Sequence, residues 1–159
     1  MSKPSSTPLE SALLALTASL QPARRAWTQE ITRALERFGL ALPLALVLVL
    51  LGRKRAAMRQ SELADAIGVN AGAMVRTLDQ AERLGLVERR GVAGDRRANE
   101  VHITDEGIDL AGRMEVAMSE LRLELLGDLP LADVEAAVRV LGEVEARCGG
   151  TNARSRTLG

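Results

Sequence analysis

The sequence predicts a mainly α-helical protein with a small β-hairpin wing, arranged as a winged helix-turn-helix lobe between N- and C-terminal helices. Two observations predict this fold class. Between Ser61 and Thr104, two short helical patterns and two alternating strand patterns follow one another with almost no spacer. On both sides of this stretch, apolar residues recur at helical spacing over segments that so small a lobe cannot bury. We therefore expect the flanking helices to form a dimerisation domain with a second copy.

The N-terminal region has clear helix-start signals. Thr7 to Glu10 combines a capping-box pattern with proline at the first helical position, which predicts a helix from Pro8 to Leu20. We expect Gln21 and the proline after it to interrupt or kink this helix. A further helical pattern continues to Phe38, and Gly39 ends it.

The next segment, Leu40 to Leu51, has no polar face. A helix that is apolar all round is buried on all sides, and this one is too short to cross a bilayer. Arg53 to Arg55 marks its exit to solvent. The segment is therefore expected to be a helix buried between the lobe and the dimerisation helices.

The helix-turn-helix is read from two helical patterns. The first covers Gln60 to Ile67 and stops at Gly68. Asn70 has a side-chain acceptor suited to an N-cap and opens a second helix, Ala71 to Leu84. The expected buried positions of the pair are Leu63, Ala66, Ile67, Met74, Leu78, Ala81 and Leu84.

The wing follows directly. Leu86 to Arg90 and Asn99 to Thr104 alternate apolar and polar residues, as half-buried strands do. The glycine-containing segment between them, Gly91 to Ala98, predicts a mobile loop. Arg96 and Arg97 are expected on the distal side of this loop, with Asp95 pairing with one of them.

Four fragments of the lobe resemble a known family. In their order and spacing they are similar to the MarR family of bacterial regulators, and most similar to its SlyA-like branch; the likeness extends more loosely from about Ala23 to Arg147. The fragments are Val75 to Gln80, Gly85 to Val87, Asp95 to Ala98 and Ile103 to Gly107. The resemblance implies an obligate homodimer with winged-helix lobes that bind double-stranded DNA.

Helix-turn-helix docking and this resemblance together indicate candidate DNA-binding residues. The N-terminal turns of the second helix enter the major groove, and arginines on a wing suit the minor groove. The recognition-helix candidates are Asn70, Ala71, Gly72, Ala73, Val75 and Arg76, and the wing candidates are Asp95, Arg96 and Arg97. Two alternatives stay open: Arg76 pairs with Asp79 on its own helix, or the wing arginines are only solvated.

Beyond the wing, Thr104 is a suitable N-cap for a helix to about Leu126, and a last helix runs to about Arg147. Their apolar stripes need a second copy for burial. The alternative is all-helical packing within one chain. The expected organisation is a flexible N-terminus at 1–7, dimerisation and buried helices at 8–52, the DNA-binding lobe at 53–104, C-terminal dimerisation helices at 105–147 and a flexible tail at 148–159.

A ligand site is expected where the dimerisation helices meet the lobe. In the SlyA-like pattern, an arginine two residues before a tryptophan helps bind aromatic carboxylates, and Arg25 and Trp27 match that pair. On the next helix, relatives carry tryptophan and histidine where this chain has Ala45 and Val49, which makes the pocket more apolar. The alternative is that Trp27 is a core residue and Arg25 a surface charge.

Charge and composition fit these expectations. Net charge is zero, with 21 basic and 21 acidic residues, but the basic ones concentrate in the lobe and the acidic ones downstream. The lobe arginines are Arg76, Arg83, Arg89, Arg90, Arg96 and Arg97; the downstream acids are Glu115, Glu120, Glu124, Asp133, Glu135, Glu143 and Glu145.

The lone Cys148 cannot form an internal disulfide and is expected to be an incidental helix-end residue, and the single His102 lacks the neighbours of a metal site. We expect a cytoplasmic regulator, repressor or activator, without cofactor, membrane contact or enzymatic activity. The alternative is a winged-helix protein-interaction module.

Overall fold

A computed structural model describes residues 7–92 and 95–155, without the side chains of 92–99 and 149–155. The chain divides into two compact units, residues 1–121 and 122–159. Its elements are α1 (Pro8–Leu35), a 3-10 turn (Glu36–Phe38), α2 (Leu42–Lys54), β1 (Met58–Arg59), α3 (Gln60–Ile67), α4 (Ala71–Arg83), β2 (Val87–Val92), β3 (Asp95–Ile103), α5 (Asp105–Leu126) and α6 (Leu131–Ser155). Flexible termini were predicted at 1–7 and 148–159; of these, residues 1–6 and 156–159 lie outside the described residues.

Helix α1 begins as the sequence predicts. The Thr7 side chain accepts a hydrogen bond from Glu10 N at 3.2 Å, and Glu10 Oε2 accepts one from Thr7 N at 2.6 Å. The predicted interruption at Pro22 is wrong, because α1 continues through it to Leu35. A proline removes one backbone hydrogen bond, and a helix of 28 residues keeps its remaining bonds on both sides.

Helix α2 is the core helix of the first unit. Six of its residues are buried: Leu44, Ala45, Val47, Leu48, Val49 and Leu51. At its C-terminal end it packs closely on α5, where a Cβ built on Gly52 would lie 2.9 Å from Ala111 Cβ. Arg53 then donates to both carboxylate oxygens of Glu115, at 2.7 and 2.8 Å. The predicted burial of this apolar segment is confirmed.

The helix-turn-helix has nearly the predicted bounds. α3 ends at Gly68, whose φ of +76° is the left-handed conformation that glycine adopts without strain. In the two helices Leu63, Met74, Leu78 and Ala81 are buried. Ala64 is buried where Ala66 was expected. Leu84, expected in the core, is 51% exposed, because the helix ends at Arg83 and the chain turns away.

The sheet is larger than the sequence predicts. It has three antiparallel strands in the order β1-β3-β2, so a short strand at Met58 was missed. β2 and β3 also extend into the segment expected to be a loop, with Gly91 opposite Asn99 and an irregularity between Gly91 and Val92. Strand pairing uses backbone groups, so it continues where the side chains show no alternation. Residues 96 and 97 are therefore in β3 and not in a distal loop.

The junction between the sheet and α5 is held by Thr104. Its Oγ1 accepts a hydrogen bond from Gly107 N at 3.1 Å, which confirms the predicted N-cap, and donates one to Gly85 O at 2.7 Å. Gly107 packs so close that an added Cβ would lie 2.2 Å from Leu86 O. The start of α5 and the turn after α4 are thus directly bonded.

The second unit consists of the end of α5 and helix α6. α6 extends to Ser155, beyond the predicted end at Arg147. Five of its large apolar residues are exposed in the single chain: Leu131, Val134, Val138, Val140 and Leu141; Val144 is half-buried. Among the described residues, no single helix is long and apolar enough to cross a membrane; α1 with its 3-10 turn reaches that composition only together with α2, from which it is bent by 86°.

Candidate nucleic-acid interface

The N-terminal turns of α4 present one face to solvent. Met74 and Leu78 are fully buried on the opposite side, which fixes the rotation of the helix about its axis. Of the six recognition-helix candidates, Ala73 is half-buried and the other five are exposed: Asn70, Ala71, Gly72, Val75 and Arg76. The structure therefore brings the predicted residues onto one surface.

Asn70 is occupied within the protein. Its Oδ1 accepts a hydrogen bond from Ala73 N at 2.8 Å, which satisfies one of the free donors at the helix start. This confirms the predicted N-cap. The side chain therefore holds the start of α4 in shape.

Among the described residues, Arg76 is the positively charged side chain on this face that forms no ion pair. The alternative pairing with Asp79 is therefore not formed. Its guanidinium lies beside Gly72, where an added Cβ would be 3.9 Å from Nη1. A long helical side chain leans towards the N-terminus of its helix, so the donors of Arg76 lie over the first turn of α4.

Asp79 is bonded elsewhere, to Arg89 of β2. Arg89 Nη2 lies 2.5 Å from Asp79 Oδ1 and 2.5 Å from Glu82 Oε2, and Arg89 N donates to Glu82 Oε1 at 2.9 Å. The hydrogen bond from Arg89 lowers the pKa of the Glu82 carboxyl, and the Glu82 carboxylate raises the pKa of Arg89. We call Asp79, Glu82 and Arg89 the strand–helix cluster.

Because of the strand–helix cluster, fewer lobe arginines are free to contact DNA than the sequence suggested. Arg89 was counted with the lobe arginines facing DNA, but only 23% of its side chain is exposed and it ties β2 to α4. Arg90 is also paired, with Glu88 at 3.0 Å. In the sequence, the cluster consists of two acids three residues apart on α4 and an arginine in the strand after a tight turn, a combination that helical or strand periodicity does not single out.

The wing candidates are placed by their backbone. Residues 95, 96 and 97 form the start of β3, opposite the end of β2. The predicted pairing of Asp95 with an arginine lies outside the described side chains. The wing assignment therefore stays a prediction from sequence.

The four ligand-site candidates are spread over the first unit. Arg25 is exposed and lines a groove of about 300 Å³ with Gln21, Arg24, Thr28 and Gln29. Trp27 is half-buried and packs on the core, and Ala45 is fully buried. Val49 lines a different groove, of about 290 Å³, beside Gly52 and Ile108. Among these grooves of the described residues, Arg25 and Val49 therefore line different ones.

His102 and Cys148 lie outside the exposed face of α4. His102 Nε2 lies 3.6 Å from Glu100 Oε2 on β3, and in the described part of the chain no group of three potential ligands could hold a metal ion. Cys148 is exposed on α6. It lies within this helix and not at its end, because α6 continues to Ser155.

The comparisons with known proteins agree with this geometry. Residues 38–98 match the family model described as MarR family. The transcriptional regulator PA3341 is 32% identical in sequence, and the match covers 85% of this chain and 98% of that one with a TM-score of 0.78. The chain belongs to the MarR family. It has the winged-helix fold of MarR-family transcriptional regulators.

Two further MarR-like structures are similar in fold. MepR of S. aureus, in a DNA-binding conformation, is 19% identical, with coverage of 84% of this chain and 98% of that one and a TM-score of 0.73. NadR in complex with 4-hydroxyphenylacetate is 17% identical, with coverage of 91% and 96% and a TM-score of 0.69. Assignment to the SlyA-like branch of the MarR family stays a prediction.

Proposed function

We propose that the protein is a sequence-specific transcriptional regulator of the MarR type that binds pseudo-palindromic double-stranded DNA as a homodimer and is not an enzyme. One observation carries the proposal: the exposed N-terminal face of α4 holds Arg76 without an ion pair among the described residues. An arginine fork in this position suits guanine O6 and N7 in the major groove. We expect the protein to act in the cytoplasm, as a repressor or as an activator.

The rigid mounting of α4 supports this proposal. The helix is capped at one end by Asn70 and tied to β2 by the strand–helix cluster. A reading helix must be held firmly, because a shift of about 1 Å spoils hydrogen bonds to base edges. Arg96 and Arg97, in the β3 segment beside the hairpin end, supply further positive charge for phosphates or the minor groove.

Exposed apolar residues support the homodimer. The first turns of α1 expose Leu9, Leu13 and Leu14, and α6 exposes the five apolar residues given above. Large apolar side chains exposed along one helix, as on each of these two, are typical of an interface. A second copy also supplies the second recognition helix that a palindrome requires.

We further propose that a small aromatic carboxylate modulates DNA binding through Arg25 and Trp27. Arg25 lines an open groove together with Arg24, and Trp27 lies on the neighbouring part of α1. The NadR structure contains such a ligand, 4-hydroxyphenylacetate. Isothermal titration with salicylate tests this: we expect heat of binding that Arg25→Ala abolishes. The absence of heat at millimolar salicylate would exclude this effector.

The DNA proposal is tested by selecting bound duplexes from a random pool with the purified protein at near-physiological salt, with its mass in solution measured alongside. We expect a palindromic motif whose half-sites lie about 10 bp apart. With about 8 phosphates contacted, log affinity should fall against log salt with a slope near −7. A folded protein that selects no motif would contradict the proposal and favour a protein-interaction module.

A further inference from the structure

We infer that Val75 and Ala71 form a surface that reads the C5-methyl group of thymine, next to the guanine contacted by Arg76. The inference rests on the proposed DNA-binding function and specifies the bases that it recognises. It concerns two stripes on α4: an apolar stripe, Ala71 and Val75, and a polar stripe, Gly72 and Arg76. Within each stripe the two residues are four apart, so they lie one above the other on the helix.

Helix α4 offers almost no hydrogen-bonding side chains to a base. Asn70 Oδ1 is bonded to Ala73 N at 2.8 Å, and Thr77 Oγ1 donates to Ala73 O at 3.0 Å. Asp79 is bonded to Arg89. In the described N-terminal turns of α4, Arg76 is left as the side chain with free donors.

Apolar side chains are exposed on this face. Val75 is 38% exposed and Ala71 is exposed beside it. An apolar side chain exposed to water makes no stabilising contact there. In the major groove only thymine among the four bases presents a methyl group, and apolar side chains contact it.

The spacing of Val75 and Arg76 on α4 determines which base pairs the two side chains reach. Val75 and Arg76 are consecutive and therefore about 100° apart around the helix, with a rise of about 1.5 Å. Arg76 leans towards Gly72, so its fork lies over the first turn of α4, while the shorter Val75 side chain stays level with its own turn. The two side chains then meet neighbouring base steps. The expected half-site has a thymine within one or two steps of the guanine that Arg76 reads.

Replacement of thymine by deoxyuridine tests the inference atom by atom, because it removes the C5-methyl group and leaves every hydrogen-bonding group in place. Each thymine of the selected half-site is replaced in turn, and affinity is measured by fluorescence anisotropy. At one thymine we expect an affinity loss of about fourfold per half-site, the value of one buried methyl group. At that position the Val75→Ala variant should discriminate between thymine and deoxyuridine by a smaller factor than the wild type, because the methyl contact with Ala71 is all that remains in full.

Leu84→Ala is the matched control, since it also shortens an exposed apolar side chain of the α4 region but at the far end. It should keep the full sensitivity to deoxyuridine. Exchange of the same thymine pair for a 5-methylcytosine–guanine pair adds a second readout. The wild type should bind it better than the unmethylated cytosine duplex, and by a larger factor than Val75→Ala does.

Three outcomes would overturn the inference while the DNA-binding function stands: a selected motif in which no thymine responds to deoxyuridine, a half-site without thymine near its guanine, or a Val75→Ala variant with unchanged sensitivity. Failure to select any motif is a different result. It would contradict the proposed function, and the inference with it.

Discussion

The carboxylate of Glu82 accepts three hydrogen bonds from Arg89: from the backbone N at 2.9 Å, from Nε at 2.8 Å and from Nη2 at 2.5 Å. The same arginine reaches Asp79 one turn earlier on α4. The strand that leads into the wing is therefore fastened to α4 at two positions one turn apart.

The Glu82 pair makes stability depend on pH. Its pKa is below the ordinary value of 4.5 in the folded protein, so its contribution is present above pH 4.5 and is lost as pH falls through the lowered pKa. We expect Glu82→Gln to lower the free energy of unfolding by about 1 kcal/mol at pH 7. Urea unfolding at pH 7 and pH 3 should show this difference shrinking at pH 3. Glu88→Gln, in an exposed pair, should have less effect at pH 7.

Gly107 is required by a close approach. A Cβ at this position would lie 2.2 Å from Leu86 O, so we expect Gly107→Ala to destabilise the fold by about 2 kcal/mol through forced movement of the backbone. Gly112→Ala is the control on the same helix, since a Cβ there meets nothing within 4 Å. It should be neutral or stabilising by up to about 1 kcal/mol. Equal thermal stability of the two variants would contradict the close approach.

The Asn70 N-cap of α4 is expected to contribute to the free energy of unfolding. Asn70→Ala should cost about 1 kcal/mol of stability because Ala73 N loses its acceptor. Asn70→Ser keeps a side-chain acceptor and should cost less. If Asn70 instead acted through base contacts alone, both variants would melt like the wild type while losing DNA affinity.

Arg76→Ala should lower specific DNA affinity by about 1 to 3 kcal/mol and relax base preference at one position in each half-site. Arg24→Ala removes the same charge from α1, outside the lobe, and is the control. Anisotropy titrations with the selected duplex and single-base variants distinguish the two. An Arg76→Ala protein with unchanged affinity and selectivity would refute the major-groove assignment.

Val138 tests the dimer. It is 65% exposed on α6 in the single chain, and a charge placed in an apolar interface is costly. We expect Val138→Glu to weaken self-association at least a hundredfold, about 2.7 kcal/mol, by sedimentation analysis. Arg139→Glu, one position along the same helix, should have a smaller effect. A wild type that sediments as a monomer would remove the basis of this prediction.

Local signals predicted well wherever one side chain determines the backbone. Thr7, Asn70 and Thr104 each cap a helix as expected, because an N-cap needs only its own short segment. Pro22 and the ends of β2 and β3 were misjudged because longer-range context decided them: a long helix tolerated a proline, and backbone pairing extended past the alternating residues.

The candidate site was predicted in its composition but not in its internal bonds. The exposed face of α4 follows from helical periodicity, and five of its six predicted residues are exposed. The role of Arg89 depends on how a turn folds β2 back beside Asp79 and Glu82. That contact is seven to ten residues apart in sequence, and helical or strand spacing does not encode it.

Because of the hydrogen bonds at Thr104, the start of α5 and the turn after α4 move together. Thr104 and Gly107 fix the start of this helix to Gly85 and Leu86, directly after α4. A helix of 22 residues is about 33 Å long. A tilt of about 6° at its far end therefore carries its start through roughly 3.5 Å, close to the ~3.4 Å rise of one base pair. In the proposed dimer, a displacement of this size at the start of α5 would move the two reading helices out of register with the operator.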